Sequence, residues 1–215
     1  MTTTATELLD AVRHEAHAGA QPNRLVPLIA SGDAPLSTVG ALAAEEVLIV
    51  ASDRRSFLHL AARAEEPHAT GFLASLGQGE SMALATLPAL LRATGMTGEY
   101  EPEPGCQAYP AYLAWLSLNG PPADVILALL VNFDAWGGYC ATVAKALRGH
   151  YGLDDEACGF FDFFATPVPE LTAQGLAAVQ AALDGGADLR AGRRYARLLS
   201  AYEISFWNTL ADKAA

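Results

Sequence analysis

"SAYEISFWNTL", residues 200–210, places a carboxylate in the middle of an apolar helical stripe. Leu199, Glu203, Phe206 and Leu210 follow a four-three-four spacing, which sets them on the one face of a helix that a globular fold turns inward. An unpaired carboxylate on that face costs several kcal/mol or keeps its proton. Glu203 therefore needs a partner, a water cluster or a ligand, unless it sits at the edge of the stripe and reaches solvent. The same spacing recurs upstream in Leu42, Glu46, Ile49 and Asp53, so two helices each carry acid on the inward face. Carboxylates that share a cavity bind cationic or amine-rich ligands, ligate metal, or divide acid and base roles. Glu45 leaves a competing reading open, because one of two adjacent glutamates must face outward and the pair then forms a solvated edge.

Outward from these two stripes, nearly every segment has helical periodicity between Gly and Pro punctuation, and none alternates as a strand does. Roughly nine helical segments result. Among them, residues 36–64 follow Pro35, residues 79–95 carry a kink at Pro88, and a long segment opens at Pro121 and Pro122. Gly137 and Gly138 in that long segment predict a kink or a close approach, since each lowers helix propensity by about 1 kcal/mol. The expected fold is an all-α multi-helix bundle with residues 1–215 in a single domain. The 215 residues, 52% hydrophobic and 17% charged, supply enough apolar surface for one substantial core.

A formal net charge of −11 repels phosphate backbones and anionic lipid surfaces, so neither nucleic acid nor a membrane is an expected partner. The run "VILALLVNF" is shorter than the roughly 18 apolar residues of a membrane helix, and "MTTTATELLDAVRHEAHAG" lacks the apolar core of an export signal. Cys106, Cys140 and Cys158 form an odd set without a Cys-x-x-Cys pair, which signals neither a disulfide framework nor structural zinc. A cytoplasmic location follows as the expectation.

The long segment adds a third lining, with Asn132, Trp136 and Tyr139 at i, i+4 and i+7 and Cys140 on the adjoining edge. Aromatics at such spacing commonly pack a core, as Tyr109 and Tyr112 in "QAYPAYL" also do. His14 and His17 on the first helix read as solvated, not as heme ligands.

Taken in order, three pieces resemble the TenA (thiaminase II) family of the heme-oxygenase-like all-helical group: "NRLVPLIASGDAPLSTVGALAAEEV", "AYPAYL" and "YEISFWNTL". The last is similar to a C-terminal Tyr-Glu-x-x-Phe-Trp and is the most specific. The resemblance covers most of the chain and implies a heme-oxygenase-like bundle with a deep pocket, a homo-oligomer (dimer or tetramer), and a small heteroaromatic ligand of the aminopyrimidine or thiamine type. It implies no cofactor. Enzymes of the family hydrolyse such compounds with a cysteine nucleophile and an acid/base glutamate. By the resemblance, Glu203 matches the catalytic glutamate, Phe206 a pocket aromatic, Glu46 the acid that grips the pyrimidine amine, and Tyr109 a pocket tyrosine. Asn132 falls where the nucleophilic cysteine stands, and a carboxamide offers no nucleophilic lone pair at neutral pH. Ile49 and Phe164 replace two tyrosines.

The expected site is thus Glu203 for catalysis, with Glu46, Tyr109, Asn132, Trp136, Tyr139, Phe164 and Phe206 for the ligand and no metal. Two alternatives stand beside it. One is a non-catalytic binding or interaction member of the fold. The other is an oxidative enzyme like the PqqC branch, whose Phe-Phe-x-x-His-x-x-x-Asp run "GFFDFFATPVPE" resembles, although its metal ligands are missing. An open cavity holding both glutamates favours a ligand, and one filled by Phe160, Phe161, Phe163 and Phe164 favours a scaffold.

Overall fold

The computed structural model of the chain describes residues 4–18 and 20–214, and the side chains of His17 and Asp134 lie outside that description. Among the described residues there is no strand, and the helices are α1 (Ala5–His17), α2 (Leu25–Ser31), α3 (Leu36–Arg63), α4 (Pro67–Ala93), α5 (Pro104–Asn119), α6 (Pro122–Gly149), α7 (Asp155–Ala165), α8 (Pro169–Asp184) and α9 (Arg190–Ala214). Their ends follow local chemistry. Thr4 and Glu7 form a reciprocal capping box on α1, and Asp154 caps α7 by accepting from the Ala157 amide. Proline occupies the first turn of α4, α5, α6 and α8, where its missing N–H leaves no intrahelical bond unmade. Gly32 ends α2 in the left-handed region at φ 78°.

α4 corrects the expectation of a helix beginning at Gly79. It starts at Pro67, and the glycines that obscured it in the sequence serve packing. A Cβ at Gly77 would lie 2.9 Å from the Leu58 side chain, so the small residue is what lets α4 approach α3. The three-residue link between the two helices makes them an antiparallel pair. α4 runs on through Pro88, and α6 runs on through Gly137 and Gly138. The backbone carbonyl of Phe164 would stand 3.3 Å from a Cβ at Gly137, which identifies close approach as that glycine's role.

α6 is long and apolar enough by length and composition to cross a membrane, with mean hydropathy 1.4, whereas the sequence reading took its apolar run as too short. Here its apolar sides are used internally. Residues 125–131 belong to one buried cluster with parts of α1, α4, α8 and α9, and residues 140–147 contribute to a second with α2, α3 and α7. Between those stretches of α6 the two clusters part, and the space between them is the cavity described next.

Candidate functional site

Each long helix crosses from one hydrophobic cluster to the other, and at most of the crossings it carries a polar side chain. On α3, Asp53 lies between Val50 of one cluster and Phe57 of the other; on α4, Glu80 lies between Leu76 and Ala83. On α6, Asn132 follows Val131, and on α9, Glu203 stands between Leu199 and Phe206. These four, with Glu46 two helical turns before Asp53, line a cavity of about 970 Å³. The acids Glu46, Asp53, Glu80 and Glu203 are 2 to 9% exposed, and among the described residues lining the cavity none is Lys, Arg or His.

Glu203 is the best-held of them. Asn132 Nδ2 donates to its Oε2, and Trp207 Nε1, one turn along α9, donates to its Oε1 at 3.2 Å. Burial pushes its carboxyl up, the two donors pull it back, and the outcome is a value of about 7. Glu203 is therefore near half-ionised at neutral pH, the condition in which a carboxyl both gives and takes a proton readily. Glu46 is pushed well above the ordinary carboxylate range by burial, then by the charges of Asp53, Glu203 and Glu45. Asp53 and Glu80 are also raised, primarily by burial.

Glu45 corrects the edge reading. It does not face outward: it is fully buried and turned to the other side of α3, where Tyr100 Oη donates to Oε1 at 2.9 Å, the Glu103 amide to Oε1 at 2.6 Å and Gln107 Nε2 to Oε2 at 2.7 Å. It thereby pins the N-terminus of α5, whose free amides favour an anion. α5 in turn sets Tyr109 into the cavity, where burial followed by the surrounding carboxylates holds its phenol protonated.

Of the residues the sequence singled out, Glu46, Tyr109, Asn132, Trp136, Phe164, Glu203 and Phe206 all line the cavity. Tyr139 does not. It lies outside the lining and packs edge-on against Trp207, with ring centroids 5.7 Å apart; after Trp136 the α6 residues that line the hollow are Gly137, Gly138 and Ala141. Trp136 packs between Phe164 at 5.7 Å and Trp207 at 5.5 Å. Phe160 and Phe161 are fully buried outside the lining, and Phe163 and Phe164 form wall without filling the space. Ile49 and Phe164 present hydrocarbon to the cavity. Cys140 is fully buried outside the lining, and burial pushes its thiol well above the ordinary range, so it is no relocated nucleophile.

The sequence reading missed Glu80 because it began α4 at Gly79; the stripe Leu76, Glu80, Ala83 and Leu87 carries the same signal as the other two. Asp53 was visible in its stripe but had no role. Trp207 as a donor to Glu203 was legible only as an i, i+4 pair. Among the described residues, no three His, Cys, Asp or Glu side chains group as metal ligands do.

No family model matches the sequence, and no curated protein matches it either. Solved structures do. A TenA homologue from Pyrococcus horikoshii OT3 superposes with a TM-score of 0.73 at 16% identity, over 98% of this chain and 99% of that one. A TenA homologue from Pyrococcus furiosus gives 0.73 at 15% identity, over 97% and 100%. A domain of unknown function with a heme oxygenase-like fold, from Shewanella denitrificans OS217, gives 0.74 at 13% identity, over 99% and 94%. Along its whole length, the chain has the heme-oxygenase-like helical fold that these TenA homologues share.

Proposed function

We propose that the cavity binds a small aminopyrimidine or a related N-heteroaromatic amine, with Glu46 and Glu203 as polar anchors and Tyr109, Trp136, Phe164 and Phe206 as walls. The observation that carries this reading is a pair of buried glutamates, from helices far apart in the chain, lining one open cavity with no basic residue among its described lining. A ring amine or protonated ring nitrogen supplies a donor to Glu46 and a further one to Glu203, and an apolar, aromatic-lined hollow suits a flat ring. The resemblance read from the sequence implies that ligand class, and the fold is one that TenA homologues have.

Turnover, where it occurs, avoids a covalent intermediate. Asn132 holds Glu203 by a hydrogen bond, and Cys140 lies outside the cavity. Glu203, with its value of about 7, takes a proton from an attacking water as the new carbon–oxygen bond forms and the carbon–nitrogen bond to the leaving group breaks; a leaving amine takes that proton up, whereas a thiazole departs neutral from its thiazolium and the proton passes to solvent. The second reading, a binding member without catalysis, is favoured by the same Asn132. No observation favours the metal-dependent oxidative reading. The ligand is a small molecule in either surviving case; the acidic chain gives no electrostatic basis for nucleic acid.

Calorimetry with thiamine and with its hydroxymethyl aminopyrimidine fragment tests the proposal. Saturable binding, weakened at least about tenfold in Glu46→Gln and in Glu203→Gln, is expected. Absence of binding by both compounds sinks it. Release of the aminopyrimidine from thiamine, lost in Glu203→Gln, separates an enzyme from a binding protein.

A further inference from the structure

The cavity holds two more acids than the anchoring of one ring uses. Asp53 on α3 and Glu80 on α4 both line it, and among the described residues neither receives donors as Glu45 does. Asp53 Oδ1 is buried and has no hydrogen-bond partner, and the residue is 5% exposed. A solvent-screened carboxylate leaves an oxygen unbonded at little cost, but a buried one loses several kcal/mol or holds a proton with nothing to receive it. An apolar residue at either position would pack between the clusters that flank it, so the acids are not there to join the helices.

All four carboxylates line the one cavity, Glu46 and Asp53 from α3, Glu80 from α4 and Glu203 from α9. Burial raises Glu46 and Glu80, and the neighbouring carboxylates raise them further. Glu46 and Asp53 are two turns apart on α3, a rise of about 10 Å. Near Asp53 and Glu80 the lining includes Ser75, Leu76 and Gly79 on α4 and Phe57, one turn from Asp53 on the same face of α3. An aromatic residue and two acids in one lining suit a compact cation.

We propose that Asp53 and Glu80 form a second subsite in this cavity that takes a protonated amine, so that the ligand is an N-heteroaromatic amine carrying a flexible ammonium-bearing tail. This rests on the ring site proposed above and adds to it a requirement on the ligand's far end. Glu46 and Glu203 hold the ring, the tail runs along α3, and Asp53 Oδ1 accepts from the ammonium with Glu80 as the second acid.

Three probes separate the two sites by calorimetry on the full chain at neutral pH: the hydroxymethyl aminopyrimidine, the same ring with a primary amine on a four-carbon tail, and that tail ending in a hydroxyl. The tailed amine is expected to bind at least about tenfold tighter than the tailed alcohol. Asp53→Asn and Glu80→Gln are expected to abolish that advantage while leaving affinity for the untailed ring within about twofold. Equal binding of amine and alcohol by the unmodified protein overturns the subsite and leaves the ring site standing; this arm needs no variant to fold. An advantage that survives in both variants overturns the subsite as well. Asp53-dependent binding of the tailed amine without any binding of the untailed ring keeps the subsite and removes the ring reading. No binding of any probe overturns both.

Discussion

Glu45 and Glu46 are neighbours on α3, both buried, and they have opposite surroundings. Glu45 receives three donors from α5 and the segment that leads into it, and so fastens one helix to another. Glu46 points to the other side, into a cavity where the described lining offers it other acids and no base. Burial by itself therefore does not mark a functional acid in this protein. What separates the two is whether the fold supplies the donors or leaves them to be supplied from outside.

That contrast is open to direct attack. The largest expected effect is on the pH dependence of stability. Glu46, Asp53, Glu80 and Glu203 all hold their protons to higher pH in the folded chain than in the unfolded one. Below the ordinary carboxylate range both states are protonated and the groups make no difference. As pH rises, the unfolded chain ionises first, and each group removes up to about 1.4 kcal/mol of stability per pH unit until its folded form ionises too. For Glu203 the window runs from 4.5 to about 7. Urea unfolding without ligand is expected to show a chain several kcal/mol more stable near pH 5 than near pH 8; a rise in stability over that range contradicts the proposed state of the cavity.

Next in size is Glu45→Ala, which strands the Glu103 amide, the Tyr100 hydroxyl and the Gln107 amide, and is expected to lower stability by about 3 kcal/mol. Asp53→Asn removes an ionisable group whose Oδ1 has no donor, and is expected to raise the stability of the ligand-free chain at pH 7 by about 1 kcal/mol, with no gain at pH 4. The contrast breaks if these two substitutions change stability in the same direction. The smallest effect belongs to Trp207→Phe, which deletes the 3.2 Å bond to Glu203 that favours the ionised form. Any activity that depends on Glu203 is then expected to shift its midpoint alkaline by roughly half a pH unit, with little change in fold.

The stripes around Glu46 and Glu203 could be read from spacing because a helix repeats every 3.6 residues, so an acid among apolar neighbours at three- and four-residue steps must face inward. Glu80 obeyed the same rule and was missed, since Gly71, Gly77 and Gly79 lower helix propensity and masked the first half of α4. Tyr139 failed for the opposite reason. Its i+7 position satisfied the pattern, but a helical face is broad, and whether a side chain near its margin meets the hollow or the neighbouring helix depends on what packs there; here that is Trp207.

Local periodicity, capping and proline placement were enough to specify an all-helical chain and to name two inward acids, because each depends only on residues within a turn or two of one another. Which way Glu45 turns, that Asn132 grips Glu203, and that four acids from three helices meet in one space depend on how distant helices are set against each other. Those settings come from the packing of two separate apolar clusters, and the seam between them, where the cavity lies, has no counterpart in any single stretch of sequence.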